Sequence, residues 1–138
     1  FPHPPFTRRP VRGDFLSAFL LNVTCAIRAN LEQVEAVLGG PVATLTLSGG
    51  MTRSAALLRC CAGVMRRPMQ ISDEPNATAL GAAVLAAAGS GTYPSIAAAA
   101  DAMVRKQPLA ADATLSAAYE DYYARWRVLY DSLRDLPV

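Results

Sequence analysis

Between Gly13 and Gly39 apolar residues recur at intervals of three and four: Phe15/Leu16, Phe19/Leu20, Val23, Ile27, Leu31, Val34 and Leu38. That period draws one apolar stripe along a long helix. Asp14 stands where a helix cap is wanted, and Gly39-Gly40 stops the pattern. From Val42 to Leu47 apolar residues alternate with Thr, the period of a strand, which Ser48-Gly49-Gly50 ends abruptly. Thr52 to Met65 returns to the helical period through Leu57, Leu58, Cys61, Val64 and Met65, and Pro68 to Ser72 is a short second strand.

Asp73 to Asn76 is a turn, and Ala77 to Ala88 is a third helix made almost wholly of Ala, Leu and Val. A helix apolar on every side is expected to be buried. Tyr93-Pro94-Ser95 opens a shorter helix to about Val104, Arg105 to Ala111 reads as a loop, and a last helix spans about Asp112 to Arg134. Its stripe is Leu115, Tyr119, Tyr122, Trp126, Leu129/Tyr130 and Leu133, which at helical spacing reads as core packing. The order is helix, strand, helix, strand and three helices. It predicts an α/β fold, helix-rich, with a short parallel sheet and a right-handed crossover. Residues 1–12, with four of the ten prolines and no period, are expected to be a tail or linker, and residues 13–138 the domain.

Composition narrows the classes. In 138 residues, 52% are hydrophobic and 17% charged, which excludes disorder as the main state. A net charge of +2 is too mild for a nucleic-acid binder. Three Cys, two of them adjacent (Cys60, Cys61), do not make a disulfide framework, and one His leaves no zinc set. Free thiols point to a reducing cytoplasm. The apolar stretch from Phe15 to Ile27 is too short and too interrupted to span a bilayer. Arg8, Arg9 and Arg12 ahead of it imitate a signal peptide, but Asp14 and the continuing helical period argue against that. Arg66-Arg67 reads as a solvated or strand-entry pair rather than an anion site.

Two segments carry candidate chemistry. In Leu45 to Ser54 a strand ends, two glycines turn the chain and a helix begins. Glycine lets backbone approach a ligand, and helix-start N–H groups attract phosphate. Ser48, Thr52 and Ser54 add hydroxyls at the same mouth, while the Gly-Lys-Ser/Thr of a Walker A loop and a G-x-G-x-x-G fingerprint are both absent. In the second segment, Asp73 to Ala83, Gly81 interrupts a helix at about 1 kcal/mol against Ala, which a close backbone contact would justify. Glu74 faces either a ligand or its own turn.

Taken in order, Ser48-Gly49-Gly50-Met51, Ser54, Arg66-Arg67-Pro68-Met69, Glu74 and Ala79-Leu80-Gly81-Ala82-Ala83 resemble the C-terminal portion of the FGGY family of carbohydrate kinases. The turn Gly89 to Tyr93, the segment Ala100 to Val104 and the closing helix with Tyr119, Tyr122, Tyr123 and Tyr130 are similar to that family's tail. The likeness covers roughly Gly13 to Leu136. Ser48 stands where the family has the first glycine of its turn, Met51 where it has a small residue, and Leu57-Leu58-Arg59 where it has an aromatic residue and Gln.

The resemblance implies part of a ribonuclease H-like, actin-like ATPase domain, the second wall of a cleft in which ATP and Mg²⁺ serve transfer of the γ-phosphoryl group to a sugar hydroxyl. It assigns nucleotide contact to Gly49, Gly50 and Ser54, then to Ser48, Met51 and Gly81, and last to Glu74. The sugar site and catalytic base belong to the family's first domain, and this sequence holds no Asp-x-Gly-Thr phosphate loop. The expectation is therefore a fragment or separate C-terminal half, inactive alone, cytoplasmic, without nucleic-acid or membrane partners, and a homo-oligomer or partner-dependent. The competing readings are an interaction module derived from a kinase lobe and a glycine-loop α/β binding protein outside the family.

Overall fold

Local signals start and stop the long helix. In a computed structural model, which describes residues 9–74 and 76–134, α1 spans Arg12–Leu38. The first eight residues of the expected tail, and Leu136 with its neighbours, lie outside the described residues. Asp14 sits at the third helical position rather than before the helix: its carboxylate accepts the Val11 N–H at 2.8 Å. Gly39, at φ 76°, takes the left-handed conformation that closes the helix, and its N–H reaches the Glu35 carbonyl.

After α1 come β1 (Leu45–Leu47), a 3₁₀ helix (Gly50–Arg53), α2 (Ala55–Val64), β2 (Met69–Ser72), α3 (Ala77–Gly89), α4 (Ile96–Met103), β3 (Lys106–Leu109) and α5 (Ala113–Arg134). β1 and β2 are parallel, with Leu47 beside Ile71, as the strand–helix–strand order predicts. The stretch expected as a loop over Arg105 to Ala111 instead contains β3, antiparallel to β2, so the sheet is mixed and ordered β1-β2-β3. Lys-Gln-Pro-Leu carries no period-2 apolar signal because β3 is an exposed edge strand whose pairing comes from β2 alone.

Two clusters form the core. Leu57, Cys61, Ala62, Met65 and Met69 pack with Leu20, Leu45, Leu47 and Leu109 between α1, α2 and the sheet. Cys25, Val64 and Tyr123 pack with Leu21, Tyr119, Tyr122 and Trp126 where α5 crosses α1 and α2. The aromatic stripe of α5 is thus core through Trp126, whereas Leu129, Tyr130 and Leu133 beyond it are exposed. Gly63 makes the crossing possible, since a Cβ there would run into the Tyr119 ring.

The burial expected of α3 reverses, and on α1 burial does not follow the apolar stripe alone. On α1 the apolar stripe is split: Phe15, Leu16, Phe19, Ile27, Val34 and Leu38 are exposed, Leu20, Val23 and Leu31 are half-buried with Leu20 against the core, and the fully buried positions are Thr24, Cys25, Ala29 and Glu35. The inner face also carries polar residues because α2 and α5 answer them. Arg28 Nη1 donates to the Val64 carbonyl at 3.1 Å and to Glu120 at 2.9 Å, and the guanidinium carbon Cζ lies 3.8 Å from the Tyr123 ring centre. The Tyr123 hydroxyl donates to Glu32 at 2.6 Å, and Arg67 grips Glu35 with two nitrogens at 2.9 Å. Buried charge is tolerated where it is paired and hydrogen-bonded in this way. On α3 only Val84 is buried, because α4 covers one side and the rest of this uncharged helix meets no other described element closely.

Candidate functional site

Parallel pairing of β1 and β2 delivers both strand ends to one edge of the sheet, so Ser48 and the Asp73–Glu74 turn emerge side by side. Ligands of open α/β sheets collect at this carboxyl edge. Between that edge and the helices α3 and α4 lies a cleft of about 240 Å³ lined by Thr46, Ser48, Ser72, Ala77, Leu80, Gly81, Val84, Ala100 and Val104. Its volume is below the roughly 300–1,000 Å³ of a pocket for a drug-sized ligand, so it suits one ring-sized portion of a larger molecule.

Of the residues singled out from the sequence, Ser48 and Gly81 line this cleft, although about thirty residues of chain separate them. Gly81 has no atom within 4 Å of the position its Cβ would take, so its missing side chain leaves room in the cleft. This replaces the expected backbone contact: the glycine opens space instead of allowing close packing.

The glycine turn is fixed by backbone torsion. Gly49, at φ 94° and ψ 176°, occupies a region that side chains essentially exclude. Its carbonyl accepts both the Thr52 N–H at 3.1 Å and the Thr52 hydroxyl at 2.7 Å. Gly50 starts the 3₁₀ helix at negative φ, and a Cβ there would stand in open space. Of the two glycines, only Gly49 needs to be one.

The remaining candidates lie around this mouth without lining the cleft. Ser54 caps α2, its hydroxyl oxygen accepting the Leu57 N–H at 3.3 Å, so α2 begins at Ala55 and not near Thr52. Met51 is 56% exposed and does not line the cleft. Glu74 closes its own turn: Oε1 accepts the Asn76 N–H at 2.8 Å, while the Glu74 N–H reaches the buried Ser72 hydroxyl at 3.4 Å.

The sequence reading missed Thr46, Ser72, Ala100 on α4 and Val104 at that helix's C-terminal cap. Single small or hydroxyl residues carry no motif, and only the packing of α4 on α3 brings the last two to the sheet.

A second cavity, about 300 Å³, is lined by Arg28, Glu32, Glu35, Arg66 and Arg67 among others, and each of these charges is paired within the fold. Glu35 and Glu120 are held below the usual carboxylate range, Glu35 first by its hydrogen bonds to Arg67 and Glu120 first by those to Arg28. The pair Arg66-Arg67 thus serves the strand entry, as its sequence context suggested. Burial pushes the thiol of Cys25 up to about 11 and those of Cys60 and Cys61 in the same direction, so none is an activated nucleophile. Among the described residues no cluster of three His, Cys, Asp or Glu could hold a metal ion, and no helix is long and apolar enough to cross a membrane.

A family model for the C-terminal domain of the FGGY family of carbohydrate kinases matches residues 5–90. The fold is similar, over 95% of this chain, to a xylulose kinase from Rhodospirillum rubrum, at 27% identity and a TM-score of 0.77. A xyloylose kinase from Brucella ovis gives the same identity and TM-score over 96% of this chain. In both cases the match takes in 27% of the kinase, so the chain spans about a quarter of the length of these proteins.

Proposed function

Because the chain belongs to the FGGY family of carbohydrate kinases, as its C-terminal domain, we propose that it forms the nucleotide-facing wall of an ATP-dependent sugar kinase. Residues 13–138 are the domain in this reading. The observation that carries it is the meeting of Ser48 and Gly81 in one cleft at the carboxyl edge of the sheet, beside a turn held open by Gly49.

These residues fit a nucleotide. The apolar walls from Leu80, Val84, Ala100 and Val104 suit a flat ring, while the hydroxyls of Thr46, Ser48 and Ser72 offer hydrogen bonds at its edge. Gly49 and Gly50 present backbone without side chains at the mouth, with Ser54, Met51 and Glu74 on its rim. ATP would supply the transferable phosphoryl group, with Mg²⁺ offsetting its charge. What this chain contributes is binding and orientation. Phosphoryl transfer depends on positioning and charge stabilisation from both sides of the phosphates, and we assign no base, metal ligand or sugar contact to these residues. The same reading places the protein in the cytoplasm, which suits its three free cysteines, and expects the domain alone to turn over no sugar.

The test is calorimetric titration of ADP into the wild-type chain and the Gly81→Leu variant. Leucine favours the helix over glycine and meets open space, so the fold stays intact while the cleft fills. Saturable ADP binding by the wild type, lost in Gly81→Leu, is expected. Equal binding by both would place the nucleotide elsewhere, and no binding by the wild type at millimolar ADP would overturn the reading for this chain.

A further inference from the structure

The outer face of α5 complements itself when read backwards. Tyr119, Tyr123 and Trp126 turn one side of this helix onto α1 and α2. Ala117, Ala118, Asp121, Arg125, Val128 and Leu129 are exposed on the other side. Ala118, Asp121, Arg125 and Val128 follow one another at three, four and three residues, so they form one seam along the helix. Val128 and Leu129 stand 70% and 58% exposed, where a helix at a free surface carries polar groups. Arg125 donates from Nε to the Asp121 carbonyl at 3.2 Å, and among the described residues neither Arg125 nor the Asp121 carboxylate makes an ion pair within the chain. Position 123 is the centre of a pattern. Asp121 and Arg125 lie two residues to either side of it, Ala118 and Val128 five, and Ala117 and Leu129 six. Opposite charges, and small against large apolar side chains, thus occupy mirrored places.

We propose that the outer face of α5 docks on the same face of a second copy of this chain, with the two helices antiparallel and a twofold axis crossing them at the level of Tyr123. A twofold contact is isologous, so each residue pair across it occurs twice with the copies exchanged. In this register Asp121 of one copy faces Arg125 of the other at both ends of the central turn. Ala118 faces Val128 and Ala117 faces Leu129, so each bulky side chain enters the space left by a small one. The charges fix direction and register, as polar residues in a helical seam do. Parallel helices in the same register would set Asp121 against Asp121 and Arg125 against Arg125, and like charges brought together oppose docking. A contact with a different polypeptide needs no mirror pattern on this face; a contact between copies needs one. The proposal is independent of the nucleotide reading, and its assays read association alone.

Sedimentation velocity on the chain and its charge variants tests the pairing. The wild type is expected to form a reversible dimer. Asp121→Arg and Arg125→Asp each set like charges against one another across the axis, and each is expected to weaken dimerisation about tenfold or more. Mixed in equal amounts, the two variants restore both opposite pairs, because one copy then carries only arginine at these positions and the other only aspartate. A heterodimer is expected from the mixture, with each variant melting close to the wild type since both positions are exposed. A wild type that stays monomeric at about 1 mM chain overturns the proposal. So do single variants as dimeric as the wild type, which place the association on another face, and a mixture that fails to associate.

Cross-linking reads the register independently. One preparation carries Ala118→Cys and a second Val128→Cys, in a background where Cys25, Cys60 and Cys61 are buried. The antiparallel register sets unlike new thiols opposite each other and like ones about 15 Å apart along the helices, at 1.5 Å per residue. Oxidation by copper phenanthroline is expected to join unlike copies about tenfold faster or more than like copies, since a disulfide needs Cα atoms within about 7 Å. Equal rates, or faster joining of like copies, overturn the proposal.

Discussion

Gly49→Ala and Gly50→Ala separate two neighbouring glycines that the sequence presents as equivalent. At Gly49 the added methyl meets no atom within 4 Å, so the cost is torsional and not steric crowding by neighbours. With φ at 94° and ψ at 176°, that cost is about 1–3 kcal/mol. The backbone can escape to negative φ only by releasing the carbonyl of Gly49, which accepts from both the Thr52 N–H and hydroxyl. At about 0.5–1.5 kcal/mol net per bond, escape costs about as much as staying. Either route destabilises by about 1–3 kcal/mol, which for a domain of this size lowers the melting temperature by roughly 3–15 °C.

Gly50 has neither constraint: its φ is negative and its Cβ position is open. Alanine there is expected to be neutral or to stabilise by about 0.4–1 kcal/mol by restricting the unfolded chain. Urea unfolding followed by far-UV circular dichroism and by fluorescence of Trp126, the single tryptophan, gives both values, and coincidence of the two probes checks two-state behaviour. A Gly49→Ala protein as stable as wild type, or a Gly50→Ala protein equally damaged, would refute the assignment of the turn to Gly49.

Gly63→Ala drives a methyl into the Tyr119 ring and is expected to cost about 1–3 kcal/mol. Urea midpoints should show recovery when Tyr119→Leu is added, and a neutral Gly63→Ala would contradict the close α2–α5 crossing. The depressed carboxyls of Glu35 and Glu120 make stability acid-sensitive in a defined direction: their contribution is complete above the unfolded value of about 4.3 and is lost as pH falls through the lowered folded values. Unfolding free energies measured from neutral pH downward should hold to about pH 5 and then fall, more shallowly in Glu35→Gln, and an identical acid slope in that variant would show that its ion pair contributes nothing. At neutral pH a disulfide-exchange reagent should leave the folded chain untouched and titrate all three cysteines in denaturant; rapid reaction of the folded chain would contradict their burial.

The succession of elements was legible in the sequence because it is written in local signals: the period of three and four in α1, the alternation before Ser48, and the glycine stops. The parallel β1–α2–β2 unit followed from their order, and the combination of the glycine turn with the Glu74 and Gly81 segment led to the family that residues 5–90 match. Only the tertiary structure decided which way α1 faces. A helical period states that two sides differ, but the partner chooses the buried one, and here small residues on α2 and the charge-pairing groups of α5 select Thr24, Cys25, Arg28 and Ala29, with Leu20 alongside, and leave much of the apolar stripe outside. β3 was invisible because an exposed edge strand takes its structure from the neighbour it pairs with. Positive φ at Gly49 and not at Gly50 follows from the hydrogen bonds to Thr52. The cleft itself, with Ala100 and Val104 closing on Ser48 and Gly81, exists only once α3 and α4 lie together across the sheet edge. Sequence patterns fix period and turn; burial and enclosure depend on what packs against them.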